Sequence, residues 1–340
     1  MYSAATMYYV ILVLGILVSG SLFLFNVRKK RLSVPLAACI FVLGLALACF
    51  FAKSLYVLLN YSALKGHGIH KWFLLIPEQF SFVGGAIGFC LAPVLLRIKK
   101  RREIPVYLDQ LALPGCLLAA VLRFDEIFLG ELGLADLRSL GLPDLSDGSV
   151  LACFPFAVRD TWGVWYLSVS TLAALLALVI LCCLALSSRK GRRLSRSVPD
   201  GFLFERCAFL LCSVRFFLEL TRIDCLIFYF VHVDQVLAAL VMLVLFIRMG
   251  LRLKRQSGHF PVVSLVLYLL SYTLNGIIQY LMDKPWHFES LLPQEAYFWL
   301  NRNLNSFGFS VLLLTTIVQG ILFFRLYRKA AKAAGDTPAA

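Results

Sequence analysis

Apolar runs of about bilayer length alternate with short polar segments along the whole chain. The first two cover residues 8–26 and 35–59, and three more follow at 80–96, 107–122 and 163–186. A sixth opens at Pro199-Asp200-Gly201 and reaches Arg222, and a seventh begins near His232, Asp234 and Gln235 and ends at Arg248. The last two cover residues 262–282 and 306–324. A helix needs about 20 residues to cross the hydrocarbon core. The pattern predicts an all-α integral membrane protein, a polytopic helical bundle of about nine spans.

The basic residues fix an orientation for that bundle. They form runs at 28–31, 97–102, 189–196, 248–255 and 325–332, each at the same end of alternate spans. Basic loops stay cytoplasmic, so the N-terminus is expected outside and the C-terminus inside. No positive residue precedes the first apolar run, so that run reads as a span and not as a cleaved leader. The loop at 124–162 carries seven acidic residues against Arg138 and Arg159, which fits an extracytoplasmic loop or head. Gly141, Pro143, Asp144, Asp147 and Gly148 supply its turns. Trp286, Tyr297 and Trp299 read as a loop in the interfacial aromatic belt. The expected organisation is a seven-span core at 1–255, two additional transmembrane helices at 256–332 and a disordered tail at 333–340.

Composition narrows this further. Of 340 residues, 60% are hydrophobic and 15% charged, against roughly 25% charged in a soluble domain. The net charge of +14 would point to nucleic acid in a soluble protein. Its confinement to alternate loops makes it a topology signal, so no nucleic-acid partner is expected. The ten cysteines contain no CxxC pair, and Cys39, Cys49, Cys182, Cys183 and Cys212 read as small buried hydrophobes. Cys153 and Cys225 fall near the outer face, where they could pair. His67 and His70 alone make a weak metal signal, and a solvated loop is the better reading.

Charges inside apolar stretches are the candidates for chemistry. Arg123, Asp125, Glu126 and Glu131 crowd the end of the fourth span. A charge at the bilayer centre costs roughly 2.5–3.5 kcal/mol on insertion scales, so such residues face a protein interior, line a wet cavity or snorkel outward. Lys53 lies near an outer end and is expected to snorkel. Arg215, Glu219 and Arg222 are spaced to share one helical face. They read either as an ion-pair ladder that fixes register or as part of a site. Guanidinium groups bind phosphate through paired hydrogen bonds and keep their charge. Arg123 and Arg215 in one cavity, oriented by carboxylates, would suit a phospholipid headgroup. Gly84, Gly85 and Gly88 either let two helices approach or leave room for a ligand.

Leu108-Asp109-Gln110-Leu111-Ala112-Leu113-Pro114-Gly115, followed by Arg123 and Gly130-Glu131-Leu132, resembles the signature of the bacterial prolipoprotein diacylglyceryl transferase family. Ser81-Phe82-Val83-Gly84-Gly85 resembles that family's glycine-rich third helix, and Arg215, Glu219 and Arg222 its later Arg/Glu helix. Gln235 takes the place of the Gly-Gln that opens its last helix. The resemblance covers residues 8–255 and leaves out the last two spans. It implies a multi-pass protein of the bacterial plasma (inner) membrane, acting in lipoprotein biosynthesis. The implied reaction transfers diacylglyceryl from phosphatidylglycerol, or another anionic phospholipid, to the lipobox cysteine thiol of a prolipoprotein signal peptide. Arg123 and Arg215 would then hold the phosphate, and Glu131 and Glu219 would orient them or relay protons. Gly84, Gly85, Gly130, Arg222 and Gln235 would line the substrate site. No cofactor or metal is implied.

The chain departs from that pattern at four places. Val83 stands where the family has histidine, Glu126 where it has asparagine, and Leu211 where it has tyrosine. Arg159-Asp160-Thr161 replaces an Arg-His-Pro segment. Thiol alkylation needs a positioned base, and valine cannot serve. Glu126 and His232 are the candidate substitutes. Two readings follow: a divergent diacylglyceryl transferase, or a non-catalytic protein that binds a phospholipid or a partner. A transporter is a weaker third, since no broken helix pair marks a midplane ion site.

Overall fold

The structure is a computed structural model that describes residues 4–65, 80–131, 149–150, 152–153, 155–159, 164–193, 199–219, 227–228, 231–289 and 292–335. These residues are nearly all helical. The chain opens with α1 (Ala4–Lys29), α2 (Val34–Leu59) and the single turn α3 (Tyr61–Leu64). Next, α4 (Phe82–Leu96) leads through a 3₁₀ segment, Ile98–Glu103, into α5 (Ile104–Glu131). Strand β1 (Ala157–Arg159) pairs antiparallel with β2 (Trp165–Leu167), and α6 (Val169–Arg193) and α7 (Phe202–Leu218) follow. A second small hairpin, β3 (Ile227–Phe228) with β4 (Val231–His232), precedes α8 (Val233–Ser257). The chain closes with α9 (Val262–Asp283), a 3₁₀ turn at Pro285–Phe288 and α10 (Gln294–Gly335).

Among the described residues seven helices, α1, α2, α5, α6, α8, α9 and α10, are long and apolar enough to cross a membrane. The chain is thus a polytopic helical membrane protein. Helices α4 and α7 arise from the other two apolar runs and are shorter, at 15 and 17 residues. The fold divides into two compact units, 1–239 and 240–340, with the boundary inside α8.

In the first unit α5 is the hub, packing against α1, α4, α6 and α7, while α2 packs along α4. The α2–α4 approach is close because glycines face it. A Cβ on Gly88 would collide with the Leu47 carbonyl, so the two backbones could not lie as near with any larger residue. Phe23, Phe41 and Phe89 knit α1, α2 and α4 together, with ring centroids 6.2 and 5.6 Å apart. A second core joins α5, α6 and α7 around Cys116, Leu184 and Cys207. The Cys116 and Cys207 sulfurs lie 3.2 Å apart there as thiols.

A half-buried carboxylate sets the start of α7. Gly201 precedes the helix with φ +89° and offers no side chain to cap it. Asp109 of α5 does so instead, accepting from the Gly201 amide at 2.7 Å and the Phe204 amide at 2.8 Å. A negative group at a helix N-terminus satisfies donors that have no intrahelical partner.

In the second unit α9 packs against α10, and Phe246 of α8 stacks on Tyr268 of α9 with centroids 4.1 Å apart. A polar seam runs between α9 and α10. Gln319 donates to the Ser271 hydroxyl at 2.9 Å, and the Thr315 hydroxyl donates to the Asn275 carbonyl oxygen. All four residues are buried.

Several expectations shift. Helix α5 does not stop at residue 122 but runs to Glu131, so Arg123, Asp125 and Glu126 are helical. Its 28 residues extend about 42 Å, longer than the roughly 30 Å hydrocarbon core. The span expected from residue 163 instead begins at Val169, because Trp165–Leu167 form strand β2. His232 likewise ends β4 and does not open α8. Tyr297 and Trp299 lie on α10, a single helix of 42 residues, because no breaker separates them from the apolar run. That helix also takes in residues 333–335 of the expected tail.

Cys39, Cys49, Cys182 and Cys183 are exposed, and Cys212 is half-buried. An apolar run in a bilayer has a lipid-facing side, so hydrophobicity alone does not place a residue inward. Lys53 is buried with its Nζ 4.9 Å over the Tyr56 ring, and does not snorkel. His67, His70, the turn residues 141–148 and Cys225 lie outside the described residues, while Cys153 is a free, exposed thiol.

Candidate functional site

The first turn of α4 brings the intramembrane charges together. Ser81 caps this helix, its hydroxyl accepting from the Gly84 amide at 2.8 Å. The next residue, Phe82, presents its ring to two arginines. The Arg123 guanidinium lies 4.2 Å from the ring centroid, and that of Arg215 lies 5.7 Å from it. Arg123 comes from α5 and Arg215 from α7. One aromatic face thus gathers two cations that are far apart in sequence.

Each cation has carboxylate neighbours. Arg123 pairs with Glu126, one helical turn on. Arg215 pairs through Nε with Glu219 at 2.7 Å and through Nη2 with Asp234 of α8 at 2.8 Å. Asp234 also accepts from the Phe82 amide at 3.0 Å and from the Ser81 hydroxyl. It therefore sits at the N-terminus of α4, where backbone donors and the helix dipole favour an anion. Arg123, Arg215, Glu219, Asp234 and Ser81 are all buried. Buried charges persist only when paired, and ion pairs join Arg123 to Glu126 and Arg215 to both Glu219 and Asp234.

Of the residues expected to form a site, the structure brings Arg123, Glu126, Arg215 and Glu219 together. Gln235 is buried beside Asp234 at the start of α8. Gly84 and Gly85 face α2: a Cβ on Gly84 would press on the Ser81 hydroxyl and the Phe51 carbonyl, while one on Gly85 would make only ordinary contact with Ala52 and Ala48. Gly130 and Glu131 end α5, and the side chain of Glu131 lies outside the described residues, as does all of Arg222. Val83 is buried on α4 and Leu211 packs in the core of α5, α6 and α7.

Three participants were not read from the sequence as site residues: Asp234, Ser81 and Phe82. Asp234 lies 153 residues from Ser81 and 19 from Arg215, spacings that carry no helical period. An acidic residue opening an apolar run looks like ordinary capping. The only available hint was that Asp234 adjoins Gln235. Asp125 is fully buried on α5, and neither of its carboxylate oxygens has a hydrogen-bond partner among the described residues.

No curated protein and no solved structure matches the chain. The family model described as prolipoprotein diacylglyceryl transferase matches residues 3–251, which takes in every member of the cluster around Phe82. Well over half of the chain is covered by that match. With the helical membrane architecture, it establishes that the chain belongs to the prolipoprotein diacylglyceryl transferase family.

Proposed function

We propose that the protein transfers the diacylglyceryl group of phosphatidylglycerol to the lipobox cysteine thiol of a prolipoprotein signal peptide. The observation that carries this reading is the convergence of Arg123 and Arg215 on the Phe82 ring, inside the region of the family match. In the proposed step the thiolate sulfur attacks the glyceryl carbon next to the phosphate ester. A C–S bond forms, the C–O bond to phosphate breaks, and glycerol phosphate leaves. Arg123 and Arg215 hold the phosphate as charge moves onto the leaving group. Glu219 orients Arg215, and Glu126 orients Arg123. Glu131, Gly130, Arg222 and Gln235 complete the site. The enzyme is a multi-pass protein of the bacterial inner membrane with about nine spans. Its N-terminus is outside and its C-terminus cytoplasmic, as its basic runs support.

A specific observation favours a second reading. Glu126 and Asp234 each place a carboxylate on a guanidinium that a phosphate would need. Val83 supplies no base. In this reading the protein keeps the family's architecture and binds a phospholipid or a partner protein without transferring a group. Purified protein incubated with phosphatidylglycerol and a lipobox peptide decides between the two. Mass spectrometry of the peptide shows the diacylglyceryl adduct if the first holds, and no mass gain under any condition leaves the second.

A further inference from the structure

The second compact unit, 240–340, lies almost entirely beyond the family match and carries a feature the transfer reaction does not use. Helix α8 ends at Gly258, whose φ of +76° turns the chain, and its amide closes on the Lys254 carbonyl at 2.8 Å. The turn folds back so that Phe260 covers Gly250. Between this turn and the last turns of α10 is an open cavity of about 460 Å³. Ser257 and His259 line one side, and Lys329 and Lys332 the other.

The cavity is continuous in register with a groove on α10. Ile317, Ile321, Arg325, Lys329 and Lys332 follow one another at intervals of four, four, four and three residues, so they form one stripe along the helix. The upper part is apolar. Ile317, Gly320, Ile321 and Phe324 bound a groove of about 440 Å³ that ends at Arg325 and Arg328. Gly320 keeps it open, since a Cβ there would meet nothing. The stripe thus passes from apolar surface to three cations, Arg325, Lys329 and Lys332, within about four turns. No acidic residue occurs between Asp234 and Asp283, nor from residue 296 to residue 335, so the described residues that line this surface carry positive charge only. Topology alone explains basic residues at the end of a span. It does not explain a cavity lined by them, nor an apolar groove one turn before it on the same face of α10.

We infer that this surface binds an anionic glycerophospholipid. Its phosphate sits in the cavity among His259, Lys329 and Lys332, and an acyl chain lies along the α10 groove past Gly320. Lysine ammonium groups hold phosphate as point charges, and basic pockets between transmembrane helices suit such headgroups. The groove distinguishes a lipid from free phosphate, which has nothing to place on Ile317 and Ile321. This inference does not depend on the transfer reaction.

The test is native mass spectrometry of the full-length protein released from detergent, with phosphatidylglycerol, cardiolipin, phosphatidylcholine or inorganic phosphate added. We expect an anionic-lipid adduct that phosphatidylcholine and inorganic phosphate do not give. K329Q/K332Q should weaken retention of that adduct roughly thirtyfold, since each juxtamembrane cation contributes about fivefold. Gly320→Trp fills the groove without touching a charge and should weaken it too. Arg215→Gln should remove only a lipid bound at the Phe82 cluster and leave the adduct that is lost in K329Q/K332Q, which separates the two sites. Lys329 and Lys332 are exposed, so K329Q/K332Q should fold as the wild type does, and a matching melting curve checks this. Unchanged anionic-lipid retention in K329Q/K332Q, or equal retention of phosphatidylcholine by the wild type, would overturn the inference. An equal response to inorganic phosphate would overturn the lipid as the occupant.

Discussion

Arg215 of α7 donates to Asp234 of α8 at 2.8 Å, and the same carboxylate accepts from the backbone that starts α4. One side chain therefore fixes the relation of three helices. Asp234→Ala would strip Arg215 of one counter-charge and leave the Phe82 amide without an acceptor. Breaking a buried pair by removing one partner costs about 3–5 kcal/mol. The variant should show a large fall in melting temperature in detergent. Asp234→Asn keeps an acceptor for the Phe82 amide and should fall less. A melt of Asp234→Ala that overlays the wild type would show that the cluster holds no helices together.

Much of this fold was legible because membrane physics is strict. Length and hydropathy predicted the seven helices that are long and apolar enough to cross, together with α4 and α7, which are shorter than the spans expected there, and Arg215 with Glu219 was visible as an i, i+4 pair. What escaped is long-range or shape-dependent. The link from Asp234 to Ser81 crosses 153 residues with no period to betray it. Phe82 looked like one more apolar residue, and only the structure shows two guanidiniums on its face. The continuation of α5 past Leu122 was hidden because charged residues ordinarily end a span. Here burial among neighbouring helices pairs Arg123 with Glu126 and lets the helix continue.

Asp109 should matter to stability for a different reason. It caps α7 from a neighbouring helix, accepting from two amides that Gly201 cannot satisfy. Loss of a cap costs about 0.5–2 kcal/mol. Asp109→Ala should therefore lower the melting temperature modestly, and Asp109→Asn, which still accepts, should lower it less. If the two variants melt alike and both match the wild type, the start of α7 is held by something else.

The seam between α9 and α10 offers a cleaner measurement. Thr315 to Asn275 and Gln319 to Ser271 are buried hydrogen bonds in an otherwise apolar hairpin. Hydrogen bonds between membrane helices average about 0.6 kcal/mol and reach roughly 1.7. Gln319→Leu should cost about this much. Combining it with Ser271→Ala should add little, because the partner has already lost its bond. A double-mutant cycle on unfolding in mixed micelles reads the coupling, and strictly additive losses would show that the two groups do not interact.

Orientation can be checked by labelling. The orientation proposed from the basic runs would put Ser146 outside and Ser195 in the cytoplasm. In a background freed of reactive cysteines, Ser146→Cys should label with an impermeant maleimide on intact cells. Ser195→Cys should label only after lysis. The reverse pattern would invert the whole bundle.

Arg215 separates phosphate binding from structural pairing. If it holds a lipid phosphate, Arg215→Lys should weaken phosphatidylglycerol binding clearly, because an ammonium cannot reproduce the planar fork. Arg215→Gln should weaken it further by removing the charge. If Arg215 serves only Glu219 and Asp234, then Arg215→Gln strands two buried carboxylates and should destabilise the protein even without lipid. Adding Glu219→Gln and Asp234→Asn should then recover much of that loss. Thermal unfolding in detergent, with and without phosphatidylglycerol, reads both effects together. A ligand that binds only the folded state stabilises it by about 2.7 kcal/mol at a hundredfold excess over its dissociation constant. That gain should appear in the wild type and shrink in Arg215→Gln. Equal stabilisation of the two by phosphatidylglycerol would remove Arg215 from the phosphate site and leave it as the pin that joins α7 to α8.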